Sequence, residues 1–267
     1  MSLSFVGHSL DSPLESRPRS VVVLLHAFPL SAAMWQPQLD ALHRAGVPVV
    51  APNVFGVGGS PEKQNWSMSD YADALYDLIS SLGFTQATLV GVSMGGYQAF
   101  AFYRQYPHAT RSLVLSDTRA EADTDTARQS RMEFIAAIEK NGVEEAVTRM
   151  VPKLFGETTK QTKPQLTELA STIIRGNTAT AVIDQLKALA GRADSVELLG
   201  RISVPTLVVV GEEDVLTPPD LARAIHHGIQ ASKLVVLPNA GHLPNLETPE
   251  AFNEALRLHL ETLPTHA

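Results

Sequence analysis

The sequence predicts an α/β fold: a mostly parallel central sheet with helices on both faces and a helical cap inserted before the last strands. Three observations carry this reading. Short β-branched apolar runs alternate with stretches of helical periodicity. Glycine, proline or asparagine separates them. The stretch from Arg119 to Leu199 holds several helical patterns and no convincing strand, after which the alternation resumes.

In chain order, residues 21–25 (Val-Val-Val-Leu-Leu) form a buried strand that ends at a loop containing Pro29. Met34, Trp35, Leu39 and Leu42 fall at helical spacing, and Gly46 stops that helix. Residues 47–51 form a second strand, and residues 53–61, with Gly56, Gly58 and Gly59, form a loop. Tyr71, Leu75, Leu78, Ile79 and Leu82 repeat at helical intervals up to Gly83. Residues 87–91 are a strand. A sharp turn at Ser93 then opens a helix that runs to about Tyr106, where Pro107 ends it, and residues 112–116 are the next strand. Phe134, Ile135 and Ile138 mark one helix of the cap. Val143, Val147 and Val151 mark a second, and Leu166, Leu169 and Ile173 a third, with breaks at Asn141-Gly142 and Gly176-Asn177. Strand 206–210, helix 219–228, strand 233–237 and helix 248–263 complete the pattern. The expected organisation is therefore a core of residues 1–118 and 201–267 with a cap at 119–200.

Composition narrows the function. The 267 residues are 44% apolar and 18% charged, as expected of a folded domain. Net charge is −7, from 21 basic and 28 acidic side chains, with no Lys/Arg-rich run. Nucleic acid and anionic membrane surfaces are poor partners for such a chain, because both need a basic patch. The absence of cysteine removes disulfides, thiolate metal sites and a thiol nucleophile, and fits a cytoplasmic location. The stretch from Met1 to Ser20 lacks the apolar run of a signal peptide, and no apolar run is long enough to span a bilayer.

The chemistry concentrates in three loops. Gly91-Val92-Ser93-Met94-Gly95 matches Gly-x-Ser-x-Gly between an apolar strand and a helix, the setting of a strained turn that presents a serine at the carboxyl edge of a sheet. A serine hydroxyl needs a base. Of the nine histidines, His242 lies in a loop at the end of a strand, on the same sheet edge as Ser93. His8, His43, His108, His226, His227, His259 and His266 fall at the chain ends or on helices. The orienting acid should lie between the two, after a strand. Asp214 fits, with Glu212 and Glu213 as rivals on spacing and Asp117 as a rival that also ends a strand at that edge. An oxyanion needs two donors. Met94 N–H follows the nucleophile, and Phe28 N–H is the second candidate, in the loop after the first recognised strand, where Pro29 cannot donate. His26 is expected to brace that loop rather than move protons.

With these residues assembled, the chain resembles the α/β-hydrolase superfamily along nearly its whole length. The matching stretches are 25–30 (Leu-His-Ala-Phe-Pro-Leu), Gly91 to Gly96, Val210 to Pro218, and Gly241-His242 followed by residues 246–249 (Leu-Glu-Thr-Pro). Within it, residues 116–124 are similar to a segment of bacterial carboxylesterases and 3-oxoadipate enol-lactonase-like hydrolases. The resemblance implies no metal and no organic cofactor. Two positions depart from the family pattern. Ala27 stands where glycine is usual after the histidine. Residues 53–58 (Asn-Val-Phe-Gly-Val-Gly) lack the acid and arginine of an Asp-x-Arg-Gly-x-Gly loop, which leaves open how that loop is braced.

The expected activity is hydrolysis of a small ester or lactone through an acyl-enzyme. Carbon–carbon bond hydrolysis, perhydrolysis and a slow-turnover receptor-like role are the alternatives. Phe28, Trp35 and Tyr97 would crowd the pocket if they point inward. A substrate carboxylate would need a cation, for which Arg119, Arg128 and Arg131 are available.

Overall fold

The apolar runs assemble into one seven-stranded sheet among the described residues, which are 2–10 and 19–264 of the computed structural model. Met1, residues 11–18 and His266 lie outside them, so part of the stretch read for a signal peptide does as well. The strands are β1 (Phe5–His8), β2 (Ser20–Leu25), β3 (Val49–Pro52), β4 (Gln86–Val92), β5 (Thr110–Ser116), β6 (Thr206–Gly211) and β7 (Ser232–Leu237). Their order across the sheet is β1-β3-β2-β4-β5-β6-β7, with β1 antiparallel to β3 and every other pair parallel. Strands β2, β3 and β6 are buried along their whole length, as expected of parallel strands covered on both faces.

Helices α1 (Gln36–Arg44), α2 (Met68–Ser81) and α3 (Met94–Gln105) follow β2, β3 and β4. Helix α2 begins on a capping box in which Ser67 and Asp70 satisfy each other's backbone N–H. Between β5 and β6 the chain runs through α4 (Asp125–Asn141), α5 (Glu144–Leu154), α6 (Glu157–Thr162), α7 (Gln165–Arg175), α8 (Ala179–Ala190) and α9 (Val196–Leu199). Helix α10 (Pro219–Gly228) links β6 to β7, and α11 (Pro244–Glu247) and α12 (Pro249–Glu261) close the chain. No helix is long and apolar enough to cross a membrane among the described residues.

Two elements depart from the sequence expectation. Strand β1 is short, with Phe5 and Val6 partly exposed at the sheet edge, so it carries no continuous apolar run. Its partner β3 defines it instead, through the register Phe5↔Pro52 to His8↔Val49. Helix α8 buries Val182, Asp184, Gln185, Leu186, Ala188 and Leu189, positions too widely spread around the helix to read as a stripe. Asn141-Gly142 and Gly176-Asn177 do end α4 and α7.

The register sets the functional edge. Leu25 pairs with Gly91, Val92 with Ser116, Ser116 with Val209, and Gly211 with Leu237. The loops that begin at His26, Ser93, Asp117, Glu212 and Pro238 therefore leave the sheet side by side at its carboxyl edge, where ligands of open α/β sheets bind.

Candidate active site

The turn after β4 holds Ser93 at φ 56°, ψ −112°, a conformation that costs a non-glycine residue energy. Its neighbours explain how the turn closes. A Cβ on Gly91 would lie 2.3 Å from the Gly95 carbonyl carbon, and one on Gly95 would lie 2.1 Å from the Leu25 carbonyl oxygen. Only glycine fits at either place. Ser93 N–H donates to the Ser116 carbonyl at 2.9 Å, and Thr118 Oγ1 donates to the Ser93 carbonyl at 2.8 Å. These bonds hold the strained residue at the start of α3, where the helix N-terminus adds positive potential.

His242 and Asp214 meet across the β6 and β7 loops, with His242 Nδ1 2.9 Å from Asp214 Oδ2, both buried. The second oxygen, Oδ1, accepts the N–H groups of Leu216 at 2.8 Å and Thr217 at 3.1 Å. Thr217 Oγ1 donates to Oδ2 at 2.5 Å and lies 3.2 Å from His242 Nδ1. Burial opposes the Asp214 charge, but the His242 ring and the Thr217 donors outweigh it and hold the carboxyl well below the ordinary carboxylate range.

The rival acids are engaged elsewhere. Glu213 accepts from the backbone N–H and hydroxyl of Thr158. Glu212 is exposed. Asp117 accepts Gly211 N–H at 2.8 Å and the Ser116 hydroxyl at 2.6 Å. Burial, with the neighbouring Asp214 charge, raises the Asp117 carboxyl well above the ordinary carboxylate range, the opposite direction to Asp214. Asp117, Asp214 and His242 bring one donor atom each within 4.8 Å of one another, the spacing of a metal cluster. The oxygens of both acids, however, are taken up by N–H and O–H donors, an arrangement that suits carboxyl groups without an ion.

Glu247 fixes the His242 loop. Its buried carboxylate accepts Leu243 N–H at 3.0 Å and Gly156 N–H at 2.8 Å, and Lys163 Nζ donates to its carbonyl at 2.7 Å. A Cβ on Gly211 would lie 2.0 Å from the Gly241 carbonyl oxygen, so the two loops touch backbone to backbone.

His26 spans two loops. Val54 N–H donates to Nε2 at 3.2 Å, which places the ring proton on Nδ1, 3.0 Å from the Ala27 carbonyl. Asn53 supplies the other brace, its Oδ1 accepting Ala32 N–H at 2.8 Å while Ser60 Oγ donates to its carbonyl at 3.0 Å. These bonds answer how the loop without the acid and arginine is held. Burial lowers the His26 pKa to about 4, and burial with the Lys233 charge lowers that of His259 to about 4.

The sign of the resulting pH dependence follows. Between pH 6.5 and 4 each of these histidines is neutral when folded and takes a proton on unfolding, so stability is lost as pH falls through that window. Asp117 subtracts, because it releases a proton on unfolding. Two buried histidines act against one acid, so the net direction is a loss of stability as pH falls. Thermal melts from pH 7 to 4 should show Tm falling with pH, and His26→Gln should flatten the fall. An unchanged slope in that variant would remove His26 from the account.

A cavity of about 260 Å³ opens over Ser93 and His242. Phe28 and Leu216 line it from the sheet edge, and Phe134 of α4, Met150 of α5 and Leu186 of α8 line it from the inserted helices. Phe28 meets Phe134 edge-on at 6.3 Å. Tyr97 also lines it, whereas Trp35 is buried in the core against Phe252. Arg119 and Arg131 reach the cavity, but Arg128 pairs with Asp125 on the surface. Arg192, Asp123 and Thr217 line it too, and none was singled out from the sequence.

A family model of the α/β-hydrolase fold matches residues 20–249. A pimeloyl-acyl-carrier-protein methyl ester esterase of Neisseria meningitidis serogroup C is 32% identical over 263 residues, 92% of this chain and 96% of that protein. The 3-oxoadipate enol-lactonase 1 of Acinetobacter baylyi is 28% identical over 239 residues, 86% of this chain and 85% of that protein. Among solved structures, a thermophilic esterase from Thermogutta terrifontis, with malate bound, is similar at TM-score 0.90 and 34% identity, over 97% of this chain and 93% of that one. The chain belongs to the α/β-hydrolase fold family.

Proposed function

We propose that the protein hydrolyses small carboxylic esters or lactones through an acyl-enzyme on Ser93. The observation that carries this reading is the buried His242–Asp214 pair at 2.9 Å, which opens onto one cavity with the strained Ser93. Relatives named as an esterase and an enol-lactonase support the choice of bond.

Ser93 Oγ attacks the carbonyl carbon as its proton passes to His242 Nε2. Asp214 holds Nδ1–H and stabilises the imidazolium. Phe28 and Met94 N–H receive the oxyanion. His242 returns the proton to the leaving alkoxide, then takes one from water as it attacks the acyl carbonyl, and gives that proton to Ser93 Oγ as the bond to the acyl carbon breaks and the acid leaves. The helices between β5 and β6 act as the cap, since α4, α5 and α8 roof the cavity.

A cavity of about 260 Å³ limits the acyl group. It is smaller than pockets of roughly 300–1,000 Å³ that enclose drug-sized ligands. Hydrolysis of p-nitrophenyl acetate or butyrate should exceed that of the dodecanoate by at least about tenfold in kcat/KM, given ~0.8 kcal/mol for each methylene left unburied. Dodecanoate as the best substrate would contradict a closed cap over Ser93, and no hydrolysis of any ester would favour the receptor-like alternative.

A further inference from the structure

The cavity over Ser93 is basic in a protein of net charge −7. Besides His242, its ionisable lining is three arginines and one aspartate: Arg119, Arg131, Arg192 and Asp123. Asp123 is shared. Its Oδ1 takes Arg192 Nη1 at 2.6 Å and Arg131 Nη2 at 3.3 Å, and Arg131 Nε reaches Oδ2. One carboxylate therefore stands against three guanidinium groups.

Arg192 is the least expected of the three. It is 5% exposed, and its Nη1 and Nη2 donate to the carbonyls of Leu189 and Glu121, each at 3.0 Å. Its Nε is buried with no partner among the described residues. The guanidinium lies over the Tyr97 ring, 4.3 Å from its centroid. Arg119 gives one N–H to the Leu216 carbonyl at 3.2 Å, and a guanidinium carries five. Asp123 is the counter-ion of both Arg131 and Arg192, and no ion pair holds Arg119 among the described residues, so the lining carries an excess of positive charge that favours an anionic occupant.

The position of Arg192 sets the reach. Tyr97 lies four residues beyond Ser93, about one turn or ~6 Å along the helix axis. Arg192 and Tyr97 also line a second cavity of about 200 Å³, so together they form the wall between the two spaces. An acyl chain that starts at the carbonyl carbon bonded to Ser93 Oγ meets this wall after a few carbons.

Building on the esterase reading, we propose that the acyl side of the substrate ends in a carboxylate, that of a short dicarboxylic half-ester or the matching lactone. Arg192 receives it at the end of the cavity, with Arg119 and Arg131 beside it. Arginine suits this task because its planar fork matches a carboxylate two bonds at a time.

The test compares monomethyl succinate with methyl butyrate, which differ at the distal end and share the leaving group. In the wild-type protein the ratio of kcat/KM should favour the half-ester by roughly 10–100-fold, the range of a charge-assisted hydrogen bond. Arg192→Gln should bring the ratio near one, mainly through KM, and Arg119→Gln should lower it severalfold. Arg119 makes no bond to Asp123, so that variant carries the test if Arg192→Gln fails to fold. Succinate binding to Ser93→Ala, measured by calorimetry with and without Arg192→Gln, gives a readout that needs no turnover. Methyl butyrate hydrolysed as well as the half-ester would overturn the proposal and leave the hydrolase reading standing. Arg192-dependent succinate binding with no ester turned over would do the reverse.

Discussion

Replacing Ser93 by alanine should lower ester turnover by roughly 10⁴–10⁶-fold, His242→Ala should do about the same, and the double variant should be little worse than either. The reason is geometric. The hydroxyl is nucleophilic only while a base can accept its proton, and the imidazole has no proton to take once the hydroxyl is gone. On the proposed mechanism the two residues act as one unit, so their losses should not multiply. What survives should be the catalysis left to the proposed oxyanion donors, the N–H groups of Phe28 and Met94. The structure also argues that Ser93→Ala will fold. The turn is held by Gly91, Gly95 and the two backbone bonds of Ser93 to Ser116 and Thr118, none of which involves the hydroxyl. The measurement is kcat for a short p-nitrophenyl ester in both single variants and the double. Losses that multiply would show that the serine and the histidine do not cooperate.

The residues of this site differ in how far sequence alone can locate them, and the difference is physical. Ser93, Asp214 and His242 are legible because each follows an apolar strand within a few residues, so the strand pattern places them on one edge before any contact is known. Spacing cannot choose between Asp214 and Asp117, since both leave the sheet at that edge. Side-chain direction distinguishes them, with Asp214 meeting His242 while Asp117 bonds Gly211 and Ser116. Arg192 and Asp123 stand 69 residues apart and acquire meaning only when α4 and α8 fold over the sheet. Arg192 is further hidden because α8, the helix before it, has no apolar stripe to mark it in the sequence. Glu247 stands out in the sequence only as part of the matching stretch 246–249, and its two backbone N–H partners, one of them 91 residues away, reveal a buried carboxylate that anchors the His242 loop. Strand β1 belongs to the same class, for its ladder to β3 defines it and its own four residues do not.

The two buried acids should respond to the same substitution by very different amounts. Asp214→Asn keeps the shape but removes the charge that faces His242 and allows an amide N–H to oppose Nδ1–H, so turnover should fall by roughly 10³–10⁴-fold. Asp117→Asn should cost less than about tenfold, because a protonated acid and an amide present a similar oxygen to the Gly211 N–H, and the Ser116 hydroxyl can turn to accept from the new NH₂. The proximity of the pair adds a further expectation. Burial is the larger cause of the raised Asp117 pKa and the Asp214 charge the second, so Asp214→Asn removes one of the two and leaves Asp117, within 4.8 Å of the ring, freer to ionise. The double variant lacks that second charge and should be slower than Asp214→Asn alone, by more than Asp117→Asn costs in the otherwise intact protein. Measuring kcat for the two single variants and the double on one ester decides the matter. If Asp117→Asn proves the more damaging, the acid that serves His242 is Asp117. If the double variant shows only the product of the two single losses, Asp117 lends no charge to the site.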